Sequence, residues 1–124
     1  MIKVIIPTDT DFDYKKCKKM YKKYQRVIRD DQEFRNVVKN TFFYSFFDDK
    51  RLIGCIYYYY KNNKLYVNAF ANRHTHEINI KYFKETFKWF SCDIYAETTY
   101  KTAILCLYKC GFKKIDDNLY KLER

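Results

Sequence analysis

The stretch "AILCLYKCGF", residues 103–112, decides the fold. Four of its residues share one helical stripe, namely Ala103, Ile104, Leu107 and Cys110. Gly111 follows this stripe at the position where a helix C-cap is expected, and Phe112 opens an aromatic segment typical of a strand. The pattern predicts a helix that ends at a glycine and a strand that begins directly after it.

The segments up to residue 71 predict two helices and four strands. "MIKVIIPT" is typical of a strand that Pro7 stops, and Asp9, Thr10 and Asp11 are candidate caps for the next helix. That helix is predicted over "YKKCKKMYKKYQRVI", residues 14–28, and a shorter one over "DDQEFRNVVKN". Strands at about 42–48, 52–60 and 65–71 are separated by "DDKR" and "KNNK", which predicts an antiparallel meander.

The remaining segments complete the element order. "HEINIKYFKETFKWF" predicts a helix with Ile78 among its inward residues, and "CDIYAE" predicts a short strand parallel to the third meander strand. After residues 103–112 the chain is predicted to close in a hairpin. The order is β-α-α-β-β-β-α-β-α-β-β, and 124 residues are expected to form a single domain over residues 1–124.

Composition limits the classes of function. A net charge of +10 favours anionic partners, with the solubility of a lysine-rich chain as the equal alternative. The five cysteines are odd in number and irregularly spaced, no signal peptide precedes them, and they are expected to be reduced thiols. No apolar run approaches the roughly 18 residues of a membrane span.

The element order and three local motifs resemble the GCN5-related N-acetyltransferase (GNAT) fold superfamily. The motifs are "FFDDKRLIGCIYYYY", "LYVNAFANR" and "AILCLYKCGFKKI". The resemblance covers nearly the whole chain. It implies an α+β, three-layer fold in which helices cover a central mixed, mostly antiparallel sheet.

A looser similarity links the chain to the GNAT-like internal virion protein of short-tailed phages. It rests on "IIPTDTDF", the aromatic strands, "KYFKETF" before a short strand, and a leucine at position 107. This similarity implies a component of a phage particle.

The family resemblance also indicates where an acetyl-CoA site should lie. The family's pyrophosphate loop, R/Q-x-x-G-x-G/A, aligns with "RHTHEI", so its cofactor-binding candidates are Arg73, His74, Thr75 and His76. His76 and Ile78 replace the glycines that let phosphate approach the backbone. The loop is therefore expected to bind acetyl-CoA weakly, with a millimolar dissociation constant, equivalent to about −4 kcal/mol, or none.

The family's catalytic tyrosine is also displaced. Leu107 occupies its position, and Tyr108 is one residue later, about 100° around the helix. Tyr100 and Glu97 are the other catalytic candidates, with aromatic packing and helix capping as their alternatives. Catalytic groups are therefore missing from the positions where the family carries them.

Two further clusters have alternatives of their own. The histidines of "HTH" with Cys106 and Cys110 fit no common zinc spacing, so no metal is predicted. The first helix carries a basic face that could bind an anionic partner or be merely solvated, comprising Lys15, Lys18, Lys19, Lys22 and Arg26.

Three functions follow. The preferred hypothesis is a catalytically degenerate GNAT-fold component of a virion, with no cofactor, located in the virion or the host cytoplasm. Its partner would be another virion protein or packaged nucleic acid. The alternatives are an active N-acetyltransferase using acetyl-CoA through an atypical loop, and a small basic nucleic-acid-associated protein.

Overall fold

The computed structural model describes residues 2–72 and 76–124. These residues form seven strands and four helices, in the order β1 (Ile2–Ile5), α1 (Tyr14–Tyr24), α2 (Phe34–Asn40), β2 (Phe42–Asp48), β3 (Arg51–Lys61), β4 (Lys64–Ala71), α3 (His76–Phe87), β5 (Ile94–Glu97), α4 (Lys101–Lys109), β6 (Lys113–Asp116) and β7 (Leu119–Leu122). The element order predicted from the sequence is confirmed.

All seven strands belong to one sheet, in the order β1-β2-β3-β4-β5-β7-β6. Every neighbouring pair is antiparallel except β4 and β5, which are parallel. The meander of β2, β3 and β4 and the parallel placement of β5 match the prediction. The α+β fold class, with a mixed and mostly antiparallel sheet, is confirmed.

The turn between β3 and β4 shows how local chemistry fixes the register of the meander. Asn62 and Asn63 have φ angles of 53° and 63°. A two-residue hairpin turn with positive φ at both positions matches the right-handed twist of the strands, and asparagine tolerates this conformation. Tyr60 and Leu65 are consequently directly opposite each other.

Helices cover both faces of the sheet, because its strands carry apolar side chains on both sides. On one face, α1 and α2 bury an aromatic core that includes Tyr21, Phe34 and Phe70. On the other, α3 and α4 bury a core that includes Phe83 and Leu107. Two buried faces explain why the strands read as continuous apolar runs instead of alternating ones.

Helix α1 begins at Tyr14 as predicted, but its N-cap and its C-terminal end differ from the prediction. Its N-cap is Asp13, whose Oδ1 accepts a hydrogen bond from the Lys16 backbone N–H at 3.0 Å, so the predicted caps at residues 9–11 were wrong. The helix ends at Tyr24 and does not reach residue 28. The buried Tyr21 hydroxyl donates to the Gln32 carbonyl at 2.8 Å and ties the chain into a turn, so tertiary contacts override the helical pattern.

Helix α4 ends as the sequence predicted. Gly111 has a φ of 96°, a left-handed conformation that other residues adopt at a cost. The Phe112 N–H donates to the Leu107 carbonyl at 3.0 Å, and the Gly111 N–H donates to the Tyr108 carbonyl at 3.1 Å. This pair of bonds is a Schellman motif, and it directs Phe112 into the core.

One residue of α3 faces the opposite way from its prediction. Ile78 is 40 % exposed, whereas Phe83 and Phe87 are buried. Five residues separate Ile78 from Phe83, which places them about 140° apart around a helix of 3.6 residues per turn. Ile78 therefore lies on the outer face.

Candidate functional site

The candidate site is a cleft between β4 and β5. The two strands pair only where Leu65 meets Ile94 and Tyr66 meets Tyr95. Beyond that point β4 continues along β3 to Ala71, whereas β5 continues along β7. The divergence opens a cavity of about 590 Å³ between the strands. Cavities of this size are typical of small-molecule sites.

Small residues line this cleft. The chain contains four alanines, and all four lie in its walls: Ala69 and Ala71 on β4, Ala96 on β5 and Ala103 on α4. Gly54 on β3 also lines it. Aromatic residues make up 21 % of the chain, so larger side chains are plentiful elsewhere. Small side chains at these positions leave the space between the diverging strands unfilled.

Gly54 occupies its position because a side chain would not fit. It is paired with Ala71 on β4. A Cβ atom at Gly54 would lie 2.8 Å from the Ala71 Cβ and 2.9 Å from the Phe70 carbonyl oxygen. The glycine therefore allows the end of β4 to remain close against β3, on the side away from β5.

A hydrogen-bond network fixes the α1–α2 connection at the rim of the cleft. The Tyr57 hydroxyl donates to Asp30 Oδ2 at 2.7 Å, and Asn68 Nδ2 donates to the Tyr57 oxygen and to the Ile28 carbonyl, both at 3.0 Å. Burial, with the hydrogen bond to Asp30 second, raises the pKa of Tyr57 far above its usual value. Tyr57 therefore stays protonated and holds Asp30, while Asn68 holds the carbonyl of Ile28, which lines the cleft.

The structure separates the three catalytic candidates. Glu97 and Tyr100 line the cleft, Glu97 as the last residue of β5 and Tyr100 directly before α4. Glu97 Oε1 forms an ion pair with Lys61 Nζ at 3.1 Å, and Tyr100 is 38 % exposed. Tyr108 is 49 % exposed and packs edge-to-face on Tyr120 at 5.7 Å, on a different part of the surface.

The sequence resemblance places Leu107 at the position of the family's tyrosine, and Leu107 is buried against the cleft. No hydroxyl group stands at this point of α4. The arrangement matches what the one-residue displacement predicts for a helix: Leu107 faces inward and Tyr108 faces away.

Cys106, predicted from the sequence to be a reduced thiol and not a metal ligand, lines the cleft. It is half-buried in the wall formed by α4, and Cys110 is buried one turn further on. A hydrogen bond from the Cys110 thiol is the main cause that lowers the pKa of Cys106, and Lys109 adds to it, while desolvation opposes both. The spacing of Ala103, Cys106, Leu107 and Cys110 was the available signal, since it puts all four on one face.

The cofactor-loop candidates Arg73, His74 and Thr75 lie outside the described residues, as does the side chain of His76. The described residues on either side of this loop reach the cleft. Asn79 Nδ2 donates to the Asn72 carbonyl at 3.0 Å, and both residues line the cavity. Asn72 and Asn79, which flank the loop residues in the sequence, therefore border the cleft.

The basic residues lie on the opposite face of the sheet from α3 and α4. Lys15, Lys18, Lys19 and Lys22 are exposed on α1, and Arg26 is exposed beyond the end of that helix, in the turn. Lys18 and Lys22 also line a groove of about 450 Å³. We call these five residues the basic α1 surface.

Two kinds of feature are absent from the described residues. No group of three or more histidine, cysteine, aspartate or glutamate side chains within residues 2–72 and 76–124 is placed to hold a metal ion. No helix in that part of the chain is long and apolar enough to cross a bilayer.

Solved structures with the same fold are acetyltransferases. An N-acetyltransferase from Staphylococcus aureus Mu50 has a TM-score of 0.72 at 12% identity, over 98% of this chain and 93% of that one. An IAA acetyltransferase from Bacillus cereus has a TM-score of 0.67 at 11% identity, over 100% and 99%. A GNAT family acetyltransferase from Elizabethkingia anophelis with acetyl-CoA bound has a TM-score of 0.66 at 13% identity, over 99% and 98%.

These identities establish the fold alone: the chain has the GNAT acetyltransferase fold. The sequence matches no protein-family model, and it matches no curated protein.

Proposed function

We propose that this GNAT-fold chain binds the acyl-pantetheine arm of a coenzyme A thioester in the β4–β5 cleft, and that it lacks efficient acetyl transfer by the family's tyrosine. The arm is a thin chain with two amides and a terminal thioester. A narrow, largely apolar slot beside the edge of a strand suits it, because the backbone of that strand can hydrogen-bond to the amides.

One observation carries this proposal: all four alanines of the chain line the cleft. Protein interiors are close-packed, so a gap without a use is normally filled by larger side chains. Aromatic side chains, which are abundant in this chain, would be large enough to fill the cleft. Solved relatives in fold support the choice of ligand, since one of them is described with acetyl-CoA bound.

The loss of the family's chemistry is the second part of the proposal. Leu107 offers the leaving thiolate no proton, and Tyr108 packs on Tyr120 instead of facing the cleft. Glu97, a candidate base, is held by Lys61. These contacts favour a binding role over rapid turnover.

An NMR titration tests the proposal. Acetyl-CoA and S-acetylpantetheine should bind with similar millimolar dissociation constants, equivalent to a binding free energy of about −4 kcal/mol. The affinities should be similar because the sequence lacks the glycines that would let the loop bind the pyrophosphate of acetyl-CoA. Ala103→Trp should abolish both interactions by filling the cleft. Leu105→Trp is the matched control, because Leu105 is 59 % exposed on the same helix and does not line the cavity.

Three results would revise the proposal. Unchanged binding by Ala103→Trp would place the ligand elsewhere, and no binding by the unmodified chain would remove the proposal. Micromolar binding of acetyl-CoA would favour the alternative, an active N-acetyltransferase with an atypical cofactor loop.

A second candidate role uses the basic α1 surface. Its lysines form no ion pair with a carboxylate in the described part of the chain, whereas lysines elsewhere do, such as Lys61 and Lys88. The groove that Lys18 and Lys22 line also contains Arg35 and Glu33, which form an ion pair with each other at 2.9 Å. Charge left unpaired on one surface favours an acidic partner. This supports a structural component of a phage particle, in the virion or host cytoplasm, that docks an acidic virion protein or packaged nucleic acid.

Charge neutralisation tests this role. Changing Lys15, Lys18, Lys22 and Arg26 to glutamine should abolish association while shifting the melting temperature by no more than about 2–4 °C, since surface substitutions change stability little. The matched control neutralises four exposed lysines on other elements: Lys81, Lys84, Lys113 and Lys114. Purified particles that contain the first variant at full occupancy would contradict the role.

The identity of the partner follows from the salt dependence. Binding to duplex DNA weakens with a log–log slope near −0.9 for each phosphate contact, and the variant should reduce that slope. Binding to DNA without any particle would favour the third hypothesis, a nucleic-acid-associated protein.

A further inference from the structure

The cleft passes through the sheet and connects the two cores that lie on its faces. β4 and β5 pair over only two residues each, so the sheet is open beyond that pairing. Phe83 and Leu107 line the cavity and belong to the core under α3 and α4. Ile28 and Phe70 also line it and belong to the core under α1 and α2. The cavity therefore has an α3–α4 end and an α1–α2 end.

The α1–α2 end is apolar. The side chains that line it carry no charge, and they are Tyr24, Val27, Ile28, Cys55 and Phe70. The amide of Asn68 lies beside them, but its hydrogen-bonding groups are engaged within the protein. Its Nδ2 donates to the Ile28 carbonyl and to the Tyr57 hydroxyl oxygen, and its Oδ1 accepts from the Ala69 N–H, all at 3.0 Å. A ligand group at this end therefore meets mainly apolar surface.

Charge enters the cleft wall at a single described position. Among the described residues that line the cavity, only Glu97 is charged, and its Oε1 pairs with Lys61 Nζ at 3.1 Å. A charged group that left water for this cavity would lose its hydration without gaining an unpaired ionic partner from these residues, whereas an alkyl chain needs no such partner.

The two ends of the cavity also fix the direction of a bound thioester. Asn72 and Asn79 flank the predicted cofactor loop in the sequence, both border the cavity, and Asn79 belongs to α3. A coenzyme A thioester whose nucleotide lies toward that loop enters from the α3–α4 end. Its acyl group then extends toward the α1–α2 end.

We propose that the cleft selects thioesters whose acyl group is an alkyl chain longer than acetyl, with the tail packed against Val27, Ile28 and Phe70. This inference rests on the proposed function and names the class of thioester. Each methylene that is buried from water favours binding about fourfold. The hydrogen bond from Asn68 holds Ile28 in place before any ligand binds, so little of the gain is lost to ordering the wall.

An NMR titration with a homologous series tests the proposal. S-acetyl-, S-butanoyl- and S-hexanoylpantetheine share one arm and differ only in the acyl chain. The dissociation constant should fall about fourfold for each added methylene until the α1–α2 end is filled. The methyl resonances of Val27 and Ile28 should shift far more with the hexanoyl compound than with the acetyl compound. The methyl resonance of Ala103, in the α4 wall, should shift with all three.

A substitution at the α1–α2 end separates the tail from the arm. Val27→Trp should fill this end, remove the gain from the longer chains and leave the binding of S-acetylpantetheine nearly unchanged. Val4→Trp is the matched control, because Val4 is 36 % exposed on β1 and does not line the cavity. Circular dichroism verifies that both variants fold, and the methyl shifts of the unmodified chain decide the question if Val27→Trp does not.

The outcomes distinguish this proposal from the proposed function. Equal dissociation constants across the series would overturn the selection for longer chains and leave the cleft as a site for the pantetheine arm. A gain with chain length that persists in Val27→Trp, or that leaves the Val27 and Ile28 methyl resonances unshifted, would place the acyl group elsewhere and overturn it as well. Absence of binding by every member of the series would overturn both proposals.

Discussion

Gly54→Ala should destabilise the chain through a single methyl group. That methyl would lie 2.8 Å from the Ala71 Cβ and 2.9 Å from the Phe70 carbonyl oxygen. Carbon atoms normally approach to about 3.5–4.0 Å, so the substitution lacks roughly 0.7 Å of space. One of the opposing atoms belongs to the backbone of β4, which can move away only by disturbing its pairing with β3 at Phe70 and Ala71.

The magnitude follows from two opposing terms. Overpacking a close-packed site costs about 1–3 kcal/mol. Replacing glycine also restricts the unfolded chain, which stabilises by about 0.4–1 kcal/mol. The net loss is therefore about 1–2 kcal/mol. The unfolding entropy expected for a chain of this length converts it to a melting temperature about 4–8 °C lower.

A double-mutant cycle shows whether the clash is the cause. Chemical denaturation of Gly54→Ala, Ala71→Gly and the combination should reveal a favourable coupling of about 0.5–2 kcal/mol, because removing the Ala71 Cβ relieves the closest contact. Gly54→Ala with full stability would refute the reasoning. Additive losses in the double variant would also refute it, since they would mean that the two positions do not touch.

Two further predictions concern the rim network and the end of the sheet. Tyr57→Phe should lower the free energy of unfolding by about 1.5–3 kcal/mol and reduce hydrogen-exchange protection in the α1–α2 connection, because it removes the hydroxyl that donates to Asp30. The control is Tyr60→Phe, since Tyr60 is exposed on the same strand. Equal losses of stability in the two variants would contradict the network. Asp93→Asn should destabilise the chain at pH 7 but not in strong acid. The Arg124 N–H, with Lys121 assisting, holds the pKa of Asp93 below its ordinary value, so the carboxylate stabilises the fold above its unfolded pKa of about 3.9 and this stability disappears as the pH falls through the lower folded pKa. Denaturation curves at both pH values check this, and a pH-independent difference would contradict it.

Some features of the site could be predicted from the sequence, and others could not. The displaced tyrosine is readable because a helix converts one residue into about 100° of rotation, so Leu107 and Tyr108 must face different ways. Glu97 and Tyr100 lie in the cleft wall because Glu97 ends β5 and Tyr100 follows it before α4 begins. The spacing of Cys106 and Cys110 can be read from the sequence, but only the structure shows that Cys106 borders the cavity.

The sequence by itself determined the order of the elements, the meander and the end of α4. These depend on contacts between near neighbours: the Asn62–Asn63 turn, the glycine cap at Gly111, and the apolar runs between them. Local conformational preferences act over a few residues, so short sequence patterns are enough to predict these features.

Only the tertiary structure decided where α1 ends and where the cleft lies. Tyr21 ends the helix by bonding to Gln32, a contact across eleven residues that no periodicity records. The four alanines are scattered along the sequence and look unremarkable there. They become a site because β4 and β5 diverge after two paired residues, and that divergence is a property of the whole sheet.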